Sequence, residues 1–199
     1  MYLVDDDPGI LKAVTRLLSM AGFQVRGFLS ASEFLRQHDP DCVGCVIADV
    51  AMPDMSGLEL QQALLHSSCS RPIIFITGQG DIPTSVHAMK QGAVDFLTKP
   101  VMQHELVAAI RVAVETDRRI RQEREERRSV EARFAALTHR ESEVLSQVVE
   151  GRLNKQIAHD LGIAEKTIKV HRARVMAKTG ARSLAELVRI AQRAGGTGN

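Results

Sequence analysis

Residues 46–57 read VIADVAMPDMSG. The apolar run from Cys45 to Ala48 belongs in a protein interior, yet it ends on an acid, Asp49, and then turns at Pro53 and Gly57. Unbroken hydrophobicity over four residues is what a central parallel strand requires, because both of its faces are covered. A carboxylate at the end of such a strand is either a turn residue or part of a site, and the neighbouring segments decide which.

Outward from this strand, residues 1–110 alternate between strand and helix. YLVD is a short apolar strand, and Asp7-Pro8 reads as an N-cap followed by proline at the first helical position, opening a helix that runs to Gly22. FQVRGF alternates as a strand, and Ser30-x-x-Glu33 is a capping box for a second helix. GLELQQALLH is helical, PIIFIT is a fourth strand, IPTSVHAMKQG is a helix closed by Gly92, and VDFLT is a fifth strand before a helix from about Gln103. Five βα units predict a doubly wound, five-stranded parallel sheet.

In such a sheet the carboxyl ends of the strands form one rim, where ligands bind. Strand one ends in Asp5 and Asp6, strand three in Asp49 and strand four in Thr77, and strand five leads to Lys99. Three carboxylates that close repel one another unless a cation joins them. All-oxygen ligands suit Mg²⁺ or Mn²⁺ rather than zinc. A lysine and a threonine hydroxyl supply what phosphoryl oxygens need, so the rim reads as a site for an aspartate that accepts a phosphoryl group. Gly78, beside Thr77, leaves room for that group.

The 199-residue chain carries a net charge of +2, unevenly spread. Residues 1–114 hold eight Lys/Arg against twelve Asp/Glu, and residues 115–199 hold eighteen against twelve. An acidic front and a basic back predict two domains with different partners, nucleic acid for the second. No apolar run approaches the ~20 residues of a membrane span, and the acidic start lacks the basic segment of a secretory leader. Three cysteines, an odd number, fit a reducing cytoplasm. CVGC and HSSC (Cys42, Cys45, His66, Cys69) have zinc half-site spacing, but Cys45 opens a hydrophobic strand and reads better as a core residue.

Residues 113–137 contain neither Gly nor Pro, and Glu115–Arg119, Asp117–Arg121 and Glu123–Arg127 are spaced i,i+4 with the acid first. This predicts a solvated helical linker continuous with the preceding helix. It is either an ordinary exposed helix or, where Val130, Phe134 and Leu137 return, a segment that pairs with a second chain. Residues 138–193 predict four short helices, with capping boxes at Thr138-x-x-Glu141 and Ser183-x-x-Glu186 and terminating glycines at Gly162 and Gly180; the tail GGTGN reads as disordered. On the helix 165–179, Ile168, Val175 and Met176 share the core face, and Glu165, Lys166, Lys169, Val170 and Ala173 share the other. Lys166 and Thr167 on its first turns fit the major groove, while Arg172, Arg174 and Lys155 are placed for phosphates. A merely solvated basic face is the plainer alternative, and the tight turn after a short helix argues against it. His171, near the core face, reads as a satisfied structural histidine.

Residues 1–115, with Asp5, Asp6, Asp49, Thr77 and Lys99 each at a strand end, resemble the receiver domain of two-component response regulators, which implies the flavodoxin-like sheet order 2-1-3-4-5. Residues 138–199, with LTHRESEVL, NKQIAHDLGI and KTIKVHRARVMAKTG, resemble the LuxR-type helix-turn-helix output domain of the NarL/FixJ family, leaving 116–137 as linker. The resemblance implies Asp49 as phosphoacceptor, with Asp5, Asp6, Asp49 and the carbonyl of Ala51 around Mg²⁺. It implies Thr77 and Lys99 as phosphoryl contacts and Phe96 as a switch aromatic. It implies a sensor histidine kinase, double-stranded DNA and RNA polymerase as partners, a homodimer on phosphorylation, and transcription activation. KPV at 99–101 departs from the family's commoner Lys-Pro-Phe, and Ala164 stands where a capping serine is common. Two rival readings are weaker. A phosphohydrolase of small molecules needs an acid or base near its nucleophile, and Ala51 supplies none; a docking module indifferent to phosphorylation leaves the acidic set without purpose.

Overall fold

The computed structural model describes residues 1–67, 71–78 and 82–195, so Cys69 of the zinc-like motif and tail residues 196–199 lie outside the described part. The chain forms two compact units, Met1–Arg121 and the remainder from Gln122.

The first unit contains β1 (Tyr2–Val4), α1 (Pro8–Met20), β2 (Arg26–Phe28), α2 (Ala31–Gln37), β3 (Val46–Asp49), α3 (Gly57–His66), β4 (Ile73–Thr77), α4 (Ile82–Lys90) and β5 (Asp95–Thr98). All strand pairs are parallel, in the expected order β2-β1-β3-β4-β5. Successive side chains of a strand point to opposite faces, and β3 divides accordingly. Val46 and Ala48 join Phe34, Leu60 and Phe75 on one side, and Ile47 joins Leu18, Ile74 and Ile110 on the other. Both faces are dry, which is why the run at 45–48 carries no polar residue until Asp49. Edge strand β2 is shorter than FQVRGF suggested and exposes Arg26 and Gly27.

Asp7 caps α1 through Gly9 and Ile10 N–H, with Pro8 first in the helix. Ser30 caps α2 by accepting from Glu33 N–H. The reciprocal arm differs from the expected box, because the Glu33 carboxylate accepts from Gln37 instead. Ser56 and Glu59 make a full capping box on α3 that the sequence reading had not singled out.

Helix α5 (Gln103–Ala135) is continuous through the charged segment. Of the three expected ion pairs, Asp117–Arg121 forms at 2.8 Å. Arg118 turns to Glu115, and Arg127 to Glu131. The expectation of a solvated helix fails at Asp117, which is 1% exposed. Its carboxylate accepts from Gly44 N–H and Arg121 Nε, each at 2.8 Å, while Arg121 also donates to the carbonyls of Pro40, Asp41 and Cys42. This clasp fastens α5 to the loop before β3.

The second unit contains α6 (His139–Val149), α7 (Asn154–Leu161), α8 (Glu165–Thr179) and α9 (Leu184–Gly195). Its core comprises Val144, Val148, Ile157, Ile168, Val175 and Leu187, with Phe134 and Leu137 packed against it. Thr138 and Glu141 form the full capping box. Ser183 accepts from Glu186 N–H, but the Glu186 carboxylate accepts from Arg182 N–H rather than returning to Ser183. Gly162 and Gly180 end α7 and α8 in the left-handed conformation. Among the described residues no helix is long and apolar enough to cross a membrane.

Candidate functional site

The carboxyl ends of β1 and β3 bring Asp5, Asp6 and Asp49 together, with one carboxylate oxygen of each lying within 4.8 Å of the others. Asp5 and Asp49 are buried and Asp6 is exposed, so the cluster opens to solvent on one side. Asp5 is oriented by Asp7 N–H, which donates to its Oδ1. Its Oδ2 accepts from Lys99 Nζ at 2.7 Å, and the same ammonium lies 3.2 Å from Asp49 Oδ1. Among the described residues no hydrogen bond is donated to Asp49 Oδ1, a buried oxygen that the ammonium meets as an ion pair.

Burial raises the Asp49 pKa; Lys99 opposes the shift, Asp5 adds to it, and the net direction is upward. For Lys99, burial works against its charge, but the Asp5 hydrogen bond and the Asp49 charge outweigh it and its pKa rises. One ammonium therefore serves two carboxylates while a third stands beside them. An unpartnered buried oxygen among three convergent carboxylates fits a hard divalent cation bound through oxygen.

Asp49 is held from below by the start of α3. Gly57 N–H donates to Val50 O, and a Cβ at Gly57 would lie 2.3 Å from Asp49 O and 3.0 Å from the Phe75 ring. Only glycine lets α3 begin this close to the end of β3. Ala51 is exposed two residues beyond Asp49. Thr77 is buried at the end of β4, where its carbonyl accepts from Lys99 N–H at 2.7 Å, tying β4 to the lysine. Phe96 is half-buried, its ring centroid 6.1 Å from that of Phe75. A Cβ at Gly78 would meet nothing among the described residues within 4 Å, so the expected room is present.

In the second unit Lys155, Lys166, Thr167, Lys169, Val170 and Arg174 are all exposed. Lys169 pairs with Glu165 at 3.5 Å in a solvated contact. Arg172 is half-buried and donates to Asn154 Oδ1 at 2.7 Å, tying α8 to the first turn of α7. Ala164 caps α8 without a side-chain hydrogen bond, as its missing hydroxyl implied. His171 departs from expectation: it is half-buried, and its Nδ1 is buried without a hydrogen-bond partner among the described residues.

Residues 1–111 match the response regulator receiver domain, and residues 135–191 match the luxR family of bacterial regulatory proteins. Among known proteins, nodulation protein W of Bradyrhizobium diazoefficiens is 42% identical over 199 residues, covering 100% of this chain and 88% of that protein. The transcriptional regulatory protein FixJ of Rhizobium meliloti is 43% identical over 198 residues, covering 100% and 97%. Among solved structures, the response regulator StyR aligns with a TM-score of 0.84 at 45% identity, over 96% of this chain and 97% of that one. Sheet order, acidic rim, four-helix unit and these matches agree. The chain belongs to the NarL/FixJ family of response regulators, transcription regulators in which a receiver served by a kinase is joined to a LuxR-type DNA-binding domain.

Proposed function

We propose that Asp49 is the phosphoacceptor and that its phosphorylation by a sensor histidine kinase switches sequence-specific DNA binding by the second unit. The observation that carries this reading is the meeting of Asp5, Asp6 and Asp49 within 4.8 Å, with Lys99 reaching two of them. Asp5, Asp6, Asp49 and the Ala51 carbonyl would hold Mg²⁺, or Mn²⁺, whose charge offsets that of the carboxylates and the phosphoryl oxygens. An Asp49 oxygen attacks phosphorus, the bond from phosphorus to the kinase histidine nitrogen breaks, and an acyl phosphate forms. Lys99 donates to the transferred phosphoryl oxygens, exchanging part of its hold on the carboxylates. The Thr77 hydroxyl turns to the same group, and Phe96 moves into the space behind it as the receiver population shifts.

The remaining roles belong to the same proposal. Residues 1–115 act as receiver, 116–137 as linker and 138–199 as output domain, in the cytoplasm. Phosphorylation promotes a homodimer through the face near β5, a reading supported by exposed Ile82, Val86 and Met89 on α4. Lys166, Thr167, Lys169 and Val170 read bases; Lys155 and Arg174 contact phosphates. Arg172 reaches the backbone while bracing Asn154. Two half-sites bind together through their effective concentration, and the DNA-bound dimer activates transcription by recruiting RNA polymerase.

Sequencing the DNA retained by the protein with and without phosphorylation tests the reading. A recurrent paired half-site, enriched by phosphorylation, is the expected outcome. Equal retention in both states would remove the switch.

A further inference from the structure

Inside the second unit, the last turn of α5 and the last turn of α8 meet through two cationic side chains. Arg133 Nη1 donates to Thr179 O at 3.4 Å. Lys178 Nζ donates to Ala136 O at 3.0 Å and to Glu141 Oε2 at 2.6 Å. Glu141 is 2% exposed and accepts from Thr138 N–H, so the lysine also reaches the capping box of α6. A Cβ at Gly180 would stand 3.2 Å from Arg133 Nη1, so the glycine closing α8 also makes room for the guanidinium.

Both cations sit at helix C-termini, where carbonyl groups lack intrahelical partners and positive charge is favourable. Phe134 and Leu137 add apolar packing, but such packing is non-directional, whereas hydrogen bonds to particular carbonyls fix angle and register. In the first unit the same helix is registered by the Asp117–Arg121 clasp to Gly44 and its neighbours. Helix α5 is thus held by directional contacts within each unit, and it is continuous between them.

We infer that Arg133 and Lys178 are positioning residues through which α5 governs the presentation of the DNA-reading helix α8. The phosphorylation-dependent gain in DNA affinity then passes through these contacts. This rests on the phosphorylation switch proposed above. A purely structural joint would lower affinity equally in both receiver states, whereas a coupling joint lowers the ratio between them.

The test uses the full chain and a duplex selected from a random-sequence library by the wild-type protein in the presence of Mg²⁺ and beryllofluoride. Affinity is measured with and without beryllofluoride at fixed salt. Wild type should gain about fivefold or more, in the ordinary range of coupling. Arg133→Ala, which strips an exposed side chain and leaves no buried charge, should keep the affinity of the inactive state within about twofold and bring the gain towards one. Lys178→Met paired with Glu141→Gln should do the same, and Lys178→Arg should restore the gain. Retention of the full gain in Arg133→Ala and in the double variant would overturn the inference, as would equal loss in both states. A wild-type gain of one would remove the switch itself and the inference with it.

Discussion

Lys99 Nζ lies 3.2 Å from Asp49 Oδ1, yet among the described residues that buried oxygen accepts no hydrogen bond. The lysine's better geometry goes to Asp5. Asp49 is therefore the less satisfied member of the pair, and burial makes its charge costly at the position proposed to accept the phosphoryl group.

Replacing Asp49 by Asn should stabilise the metal-free receiver at neutral pH. A carboxylate whose folded pKa is raised binds its proton more tightly in the folded than in the unfolded chain. Wild-type stability should then fall as pH rises from the unfolded value of 3.8 through the raised value. Asn removes this loss. Thermal unfolding without Mg²⁺ should show the variant melting higher at pH 7, with the gap closing as the pH falls towards 3.8. A lower melting point at pH 7 would mean that the Lys99 contact outweighs the burial of the charge.

Mg²⁺ held by the folded acidic rim, as proposed, should reverse that order by mass action. Asp6→Ala should weaken Mg²⁺ about tenfold or more without unfolding the domain, since Asp6 is exposed and outside the core. Wild-type affinity should also fall as the pH is lowered, because the ligands must be ionised. A calorimetric titration in which Asp6→Ala binds as wild type does would exclude Asp6 as a ligand.

Gly57→Ala forces a methyl group to 2.3 Å from Asp49 O and 3.0 Å from Phe75. Backbone cannot yield as a side-chain tip can, and overpacking of this kind costs roughly 1–3 kcal/mol. Urea unfolding should register that loss. Phosphate incorporation from acetyl phosphate should slow, since the carbonyl displaced belongs to Asp49. Unchanged values of both would mean that α3 shifts freely.

The strands other than β2, their parallel arrangement and the acidic rim were legible because each is written in consecutive residues: a four-residue apolar run belongs in a sheet interior, and an acid after it on the rim. Four helix N-caps, Asp7, Ser30, Thr138 and Ser183, were legible for the same reason. What escaped depends on residues far apart in the chain. Asp117 sits among charged neighbours and pairs with Gly44, 73 positions away, so its burial has no local signal. Lys178 and Glu141 are 37 positions apart. Gly57 was read as a turn residue, whereas its requirement comes from the backbone of β3 and the ring of Phe75. Arg172 was placed for phosphates, and its bond to Asn154, 18 positions away, has no local signal either.

Glu141 supplies a pH test of the second unit. Its hydrogen bond from Lys178 and that from Thr138 N–H hold its pKa down to about 2. A lowered folded pKa contributes stability above the unfolded value of 4.5 that is lost as pH falls towards 2. Methyl resonances of Val144 and Ile168, followed through urea unfolding, should report a midpoint that falls with acidity over this window in wild type. Glu141→Gln should begin lower and flatten the dependence. A variant with the wild-type slope would place the titrating group elsewhere.

The proposed switch begins with phosphoryl transfer to Asp49. Wild type and Asp49→Asn are incubated with acetyl phosphate and Mg²⁺, and acid-labile phosphate on the protein is measured beside circular dichroism of both. Wild type should incorporate phosphate and the folded variant none, because an amide cannot form the acyl phosphate. Undiminished incorporation into folded Asp49→Asn would contradict the account.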